Sequence, residues 1–461
     1  MLTLALTTLL LLAAYLIAPA TARIALLVAA GFMLMLVSFT SVELTLYLLI
    51  LSTLLSPELQ FGGGESALVQ GQVSTTESRG VTVRLDDLIL TVTCLTWLFR
   101  MAIVTGLGVV RKTPINQPVA VYLLITTLAT VAGFGADRVH MYGFFFVLKY
   151  LEYFVLFYMI INQVNDEAAV KRYITVMLFT CLVASLVGIA QIPTGERVSA
   201  PFEGQVGEPN TFGGYLVLMF SVTLGMFLHE PDVRLRRRLI LLTGIILVPL
   251  AFTESRSSYL ALVASMGFFL IFSEKKRFVV VSCIVGLMLA PFLLPGNVIQ
   301  RVTYTFEQTR EAGQIALGGG VHLDTSTSAR LRSWQLALER DFFSHPVIGV
   351  GVTGGEFMDA QYPRVLSETG VLGLLAFLWL LRRIWVILRR CYREIGDRRI
   401  KGAALGTLCG FGGLLFHALG SNSFIIVRIM EPLMILIALM FAALLAEHPE
   451  RFLQKTAEAG Q

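Results

Sequence analysis

Long apolar runs separated by short charged connections govern what this chain can fold into. A helix needs about 20 mostly apolar residues to cross roughly 30 Å of hydrocarbon. The 461-residue sequence offers fourteen stretches of that kind, at 2–19, 23–39, 42–56, 86–105, 118–135, 141–162, 173–192, 210–228, 238–253, 257–273, 278–294, 366–388, 402–420 and 428–446. The run at 42–56 is the shortest. Only 15% of the residues are charged, where a soluble domain carries about 25%. The expected fold class is therefore all-α: a polytopic helical membrane protein with about fourteen transmembrane helices and one long outer loop. Short alternating strands are not expected, which excludes an outer-membrane barrel. The first run starts at Met1 with no basic residue before Arg23, so it reads as a retained span and not as a cleaved signal.

Basic residues set the orientation. With loop 295–365 outside, the inner connections hold Arg111 and Lys112, Lys171 and Arg172, the arginines of 234–238, the basic residues of 275–277 and the segment 389–401. Both termini are then cytoplasmic. Every lysine except Lys149, which lies inside a span, falls on the inner side, and the outer basic residues are all arginine. The net charge of +5 follows from this distribution and implies no nucleic-acid partner. The five cysteines lie in spans or in an inner connection, so no disulfide is expected, and no metal-ligand spacing is present.

The main polar interruption is residues 330–373, RLRSWQLALERDFFSHPVIGVGVTGGEFMDAQYPRVLSETGVLG. Paired arginines (Arg330, Arg332), two acids (Glu356, Asp359) and His345 gather there around a glycine-rich turn. Residues 330–344 predict an amphipathic helix with Leu331, Trp334, Leu338 and Phe342 along one face, able to lie on a membrane surface or cover a cavity. An outer loop at 193–209 brings Arg197 close upstream of a helix start at 208–211, where backbone N–H groups attract anions. The planar, permanently charged guanidinium suits phosphate oxygens, although single arginines also snorkel to headgroups or pair with acids. Inside the membrane, Lys149 and Glu152 sit three residues apart, either as a structural ion pair or as a substrate contact. His417 reads as a helix–helix hydrogen bond, and Gly402, Gly406 and Gly410 as a close-packing face. His345 reads equally as a helix cap or a catalytic group, and Glu368 as a helix-start acid.

EPNTFGGYL at 208–216, ESRSSYLAL at 254–262, HPVIGVG at 345–351 and LSETGVLGLLAFL at 366–378, in this order along the chain from about Arg197 to Leu380, closely resemble the O-antigen ligase and O-antigen polymerase superfamily. The resemblance implies a helical, metal-independent glycosyltransferase of the lipid-sugar-using kind that needs no cofactor. It implies an oligosaccharide donor linked to undecaprenyl diphosphate, used at the periplasmic face of the bacterial inner membrane. The acceptor would be a second glycan or lipid, and polysaccharide export proteins would be partners. The division it implies is 1–294, eleven transmembrane helices with outer loops 57–85 and 193–209; 295–365, the long periplasmic loop with its amphipathic helix at 330–344; and 366–461, three C-terminal transmembrane helices and a cytoplasmic tail. Arginines hold the donor diphosphate in the family. By position that role falls to Arg197, Arg256 and Arg330, with Arg332 as an alternate.

The chain departs from the ligases at one point. Where they carry a histidine nine residues and a small polar residue before Gly-x-x-Gly, the spacing back from Gly370 and Gly373 gives Asp359 and Ala360. A carboxylate can serve as the base for an incoming hydroxyl, so Asp359 is the first candidate, with Glu356 and His345 as substitutes. The change favours a polymerase, in O-antigen, capsule or exopolysaccharide assembly, over a strict ligase acting on lipid A core or protein. Two other classes fit the composition: a flippase for lipid-linked sugars, against which stands the lack of an internal repeat, and a non-catalytic envelope scaffold.

Overall fold

The computed structural model describes residues 33–56, 58–61, 81–104, 111–202, 208–293, 316–318, 321–322, 325–355 and 358–448. After a helical segment at 33–40 the helices run α1 (Val42–Leu55), α2 (Leu85–Val104), α3 (Asn116–Gly135), α4 (Tyr142–Gln163), α5 (Glu167–Gln191), α6 (Pro209–His229), α7 (Val233–Phe252), α8 (Arg256–Phe272), α9 (Lys276–Leu293), α10 (Thr325–Leu336), α11 (Gln361–Glu394), α12 (Arg398–His417) and α13 (Val427–Glu447). The expected run at 2–19 and most of that at 23–39 lie outside the described residues, as do the C-terminal tail and much of the two loops at 57–85 and 295–365. The others coincide with helices, and the structure is an almost entirely helical polytopic membrane fold. Two small antiparallel hairpins interrupt it, β1 (Glu58–Phe61) with β2 (Val81–Arg84) and β3 (Ala316–Gly318) with β4 (Val321–His322). The sequence reading expected no strands; these are far shorter than the 9–11 residues a membrane strand needs.

Apolar patterning explains the layers. α6, α12 and α13 are apolar and buried almost all round, which makes them the centre, whereas α3, α4, α5 and α11 bury one face and leave the other to lipid. The central contact is α6 against α12, and glycine creates it. A Cβ on Gly402 would lie 2.7 Å from the Gly225 carbonyl oxygen, and one on Gly406 would lie 2.5 Å from the Val222 Cα. The backbones touch where side chains would separate them.

Connections alternate between two ends. At the lysine end, Asp166, Asp232 and Asp397 cap α5, α7 and α12 through their side chains. Lys171 meets Asp397 at 2.5 Å and Arg399 meets Glu230 at 2.8 Å, so the caps also join neighbouring helices. Burial raises and the Lys171 ammonium and two backbone N–H groups lower the affinity of Asp397 for its proton, with a net pKa below the ordinary carboxylate value.

The Lys149–Glu152 pair (3.2 Å) is part of a larger buried knot. Lys149 also meets Asp87, and Arg84 meets Asp86 at 2.9 Å, tying the start of α2 to α4. Arg428, at the start of α13, donates to the carbonyls of Pro201 (3.1 Å) and Ser56 (3.4 Å), and Glu431 is completely buried one turn on. Ionisable groups in hydrocarbon persist only when paired inside the protein. The arrangement fits the structural reading of Lys149 and Glu152.

At the other end, the loop end, the amphipathic helix differs from its expected 330–344. It starts at Thr325, and beyond Leu336 it loosens into a π-helical turn, Ala337–Phe342, whose Phe343 N–H reaches the Leu338 carbonyl at 3.1 Å. Leu331, Trp334 and Phe342 are half-buried as their spacing suggests, but Leu338 is exposed while Ala337 and Asp341 are buried. The reason is polar: the Ser367 hydroxyl of α11 donates to Asp341 Oδ2 at 2.8 Å, so an acid takes a place where the apolar pattern puts leucine. α11 starts at Gln361, five residues before the expected span at 366.

The glycine face gives a graded prediction. On Gly406 an added methyl meets backbone, which cannot yield, whereas on Gly410 it meets Leu218 Cδ1 at 3.0 Å, the tip of a side chain. Overpacking costs about 1–3 kcal/mol, and the helix preference for alanine returns up to about 1 kcal/mol. Gly406→Ala should lower the unfolding temperature in detergent clearly, and Gly410→Ala should leave it nearly unchanged. Equal effects would mean the two helices slide apart freely.

Candidate active site

The loop end is organised by two helix N-termini that meet. α6 opens with Pro209 at its first turn and α8 with Ser255 as N-cap. The Ser255 hydroxyl donates to Asn210 Oδ1 at 2.7 Å, joining the two. The Ser258 hydroxyl donates to Ser255 Oγ (2.8 Å), so Ser258 Oγ accepts from His417 Nε2 (3.2 Å), and His417 Nδ1 is left to accept from Ser423 (2.7 Å). The relay is sealed: His417, Ser258 and Ser423 are fully buried. The reading of His417 as a helix–helix hydrogen bond agrees with this geometry. Close packing of Gly213 and Gly214 leaves it room, since a Cβ on Gly214 would lie 3.1 Å from the imidazole.

Arg197 and Arg256 come together here. Arg197 donates to the carbonyls of Thr253 (3.0 Å) and Glu254 (3.3 Å), and the Val198 N–H to that of Phe252 (3.0 Å), so the segment after α5 is zipped onto the turn that leads into Arg256. Glu254 in that turn has a φ of +49°, a conformation costly for a residue with a Cβ. Arg256 is half-buried at the first position of α8. Two arginines and two helix N-termini thus gather at one end of the bundle, with Glu208 and Glu254 beside them.

The α12–α13 turn connects this region to Asp359. Ser257 donates to the Gly420 carbonyl (3.1 Å), Asn422 Nδ2 to the Met358 carbonyl (2.6 Å), the Gln361 N–H to the Ala418 carbonyl (3.0 Å) and the Phe424 N–H to Gln361 Oε1 (3.0 Å). Met358 and Ala360 are buried while Asp359 between them is exposed. Its carboxylate is carried on a rigid strip and turned outward, with no ion-pair partner among the described residues.

HPVIGVG has a backbone role. Inside α11, Gly370 has φ +66° and ψ −167°, a region open to glycine almost alone, and the helix breaks there. The carbonyls of Ser367 and Glu368 accept from the N–H groups of Val350 (3.0 Å) and Gly351 (2.9 Å). Beyond the break, the N–H groups of Val371 and Leu372 donate to the carbonyls of Pro346 (2.9 Å) and Val347 (3.3 Å). The segment splints both sides of the break. Gly349 lies so close that a Cβ would be 2.6 Å from the Ser367 carbonyl oxygen. Glu368 is buried, paired with Arg364 at 2.9 Å and accepting the Thr353 N–H at 3.2 Å; its role is structural, but it lies within α11 just before the break and not at the helix start expected from the sequence.

The remaining candidates fall as follows. His345 is half-buried, with Nε2 against the guanidinium of Arg138. Arg332 is exposed on α10, and Arg330 lies on the same helix. Glu356 lies outside the described residues. The sequence reading did not single out Arg138, Asp341, Asn422 or Gln361. Arg138 stood among the outer arginines, but nothing in its neighbourhood links it to a histidine two hundred residues away.

A family model described as O-antigen ligase matches residues 239–371. This stretch is similar to that family. It opens within α7 and closes just past the splinted break, and so contains Arg256, Arg330, Arg332, His345 and Asp359. The family's members are glycosyltransferase-like ligases and polymerases of polysaccharide assembly, working on lipid-linked oligosaccharides and glycan acceptors. Arg197, His417 and Asn422, which support the loop end of this stretch, come from outside the match. No curated protein matches the chain.

Removing the hub of the relay should be costly. His417→Ala leaves the hydroxyls of Ser258 and Ser423 without the ring, and an unsatisfied buried group costs about 1–3 kcal/mol. The variant should unfold at a clearly lower temperature than wild type in a detergent melt. An unchanged melt would mean that the relay carries no stability.

Proposed function

We propose that the protein is a glycosyltransferase that transfers or polymerises oligosaccharide units from undecaprenyl diphosphate at the periplasmic face of the bacterial inner membrane, acting as a polymerase. The arginine pair carries this reading: Arg197 is fixed against the turn that presents Arg256, beside two helix N-termini, and Asp359 is held to the same end through Asn422. The restriction of lysine to the opposite end favours cytoplasmic termini and a periplasmic loop end.

In this scheme Arg256 and Arg197 grip the donor diphosphate, with Arg330 and its alternate Arg332 approaching from α10. Asp359 takes the proton of an acceptor hydroxyl, whose oxygen attacks the anomeric carbon from the side opposite the diphosphate. The bond between that carbon and the phosphate oxygen breaks with both electrons going to oxygen. The configuration inverts, and undecaprenyl diphosphate departs as an anion. Guanidinium groups and helix N-termini fixed beforehand stabilise the developing charge, so the scheme needs no metal. Exposure suits Asp359 to this task, since the hydroxyl must reach it from outside the bundle. Glu356 and His345 are its substitutes.

A ligase reading is the alternative, favoured by the description of the matching family. Surface and lipid-linked glycan lengths separate the two in a strain lacking the protein, complemented with wild type, Asp359→Ala or Arg256→Ala. Polymerase action predicts single repeat units in the null and in both variants. Full-length glycan stranded on the lipid carrier would mean a ligase. Wild-type lengths with Asp359→Ala would remove that residue as the base, and with Arg256→Ala would remove the clamp.

A further inference from the structure

A second polar seam lies at the loop end, away from the Arg197–Arg256 pair. The α3–α4 connection and the glycine turn after His345 run against each other along their length. Arg138 meets His345, Val139 fills the space beside Gly351 and Gly354, and a Cβ on Gly143 would lie 3.1 Å from Thr353 Oγ1. Two residues in the seam have a backbone conformation unusual for side chains with a Cβ, Asp137 at φ +56° and Thr353 at φ +65°. For a β-branched residue such as Thr353 this is an outlier, and outliers of this kind gather at ligand sites.

The hydrogen bonding is incomplete in a specific way. A guanidinium only donates, so His345 Nε2 must accept from Arg138, and the ring proton sits on Nδ1. That Nδ1–H is buried without a protein partner, as are Arg138 Nε–H and the Thr353 hydroxyl. Most buried polar atoms in folded proteins are paired, yet three along one seam are not. Two of them can only donate, and the third can both donate and accept.

We propose that Arg138, His345 and Thr353 form a subsite for the hydroxyl-bearing face of the acceptor saccharide. The inference rests on the glycosyltransferase reading and adds to it a place for the acceptor. A sugar diol both accepts and donates, and so answers all three groups; a phosphate oxygen would accept from all three as well, and the two probes below separate them. The seam is built on α3, α4 and the start of α11, whereas the arginine pair is built on α6, α7 and α8, and the Met358–Gln361 strip bearing Asp359 follows directly from the glycine turn. Since its basic nitrogen is taken by Arg138, His345 in this arrangement is a donor to substrate and no longer a substitute base, which leaves that part to Glu356.

The test uses the full chain in lipid nanodiscs and two probes: the repeat-unit oligosaccharide released from its lipid by mild acid, and inorganic diphosphate. Arg138→Ala and His345→Ala should weaken oligosaccharide binding about tenfold or more, the loss of roughly one buried hydrogen bond, and leave diphosphate binding unchanged. His345→Asn, which returns an N–H near Nδ1, should recover most of the affinity. Thr353→Val removes the hydroxyl at nearly constant shape and supplies the same test if the alanine variants do not fold. The subsite is overturned if wild type shows no saturable oligosaccharide binding, if the variants bind oligosaccharide as wild type does, or if diphosphate binding is what falls. Arg256→Ala keeps the two ideas apart: unchanged diphosphate binding in that variant defeats the donor clamp, while the subsite stands on its oligosaccharide result.

Discussion

Inside a bilayer no water is present to satisfy a broken helix, and each unpaired N–H or C=O there costs several kcal/mol. α11 breaks at Gly370 nonetheless, and the loop end of the protein is arranged around the repair. Residues 346–351 supply two carbonyls to the N–H groups beyond the break and donate two N–H groups to the carbonyls before it. To come that close the segment needs glycine where it touches α11, and α3 must admit it as well, through Gly133 beside Val350. The Ser367–Asp341 bond then fixes the π-helical turn over the same place. Residues 346–351 are therefore seated on the bundle by backbone hydrogen bonds.

The same economy appears at the N-termini of α6 and α8. A helix start leaves N–H groups to be satisfied, and here they are turned to one place and held by a relay of hydroxyls ending on His417 and Ser423. The turn that completes this relay also grips Met358 and Gln361. A buried imidazole thus lies mechanically between Arg256 and Asp359, although it is exposed to neither. The charged knot around Lys149 and Arg84 gives the opposite flank similar rigidity, with Arg428 holding Pro201 in the segment that carries Arg197.

Much of this was legible in the sequence because membrane burial writes itself in composition. The spans from 42–56 onward, the glycine face of α12 and the gathering of arginines at the loop end follow from hydropathy, spacing and charge type. The ends of the amphipathic helix were not, because Asp341 is buried for a hydrogen bond to a serine on another helix, which no periodicity records. The break in α11 was hidden for a related reason: SETGVLG reads as a continuous helix until HPVIGVG is seen to occupy the gap. Lys149 and Glu152 were visible as a pair, but Arg84, Asp86 and Asp87 join them from a distant helix start. Arg138 and His345 are likewise joined by packing alone.

These two kinds of information bear differently on the chemistry. The arginines proposed to hold the donor stand out in sequence because lysine is confined to the opposite end, so that the basic residues of the loop end are all arginine. An acceptor sugar is recognised by hydroxyls and needs no conspicuous residue, only donors held in place without partners. Such a site leaves no mark in composition and becomes visible when hydrogen bonds are accounted for atom by atom. The seam between Arg138, His345 and Thr353 is of that sort, built from residues whose types are ordinary and whose backbone strain and unpaired atoms are not. Its rigidity derives from the splint at Gly370, since the glycine turn that carries Thr353 is anchored through Glu368 and the carbonyls just before the break.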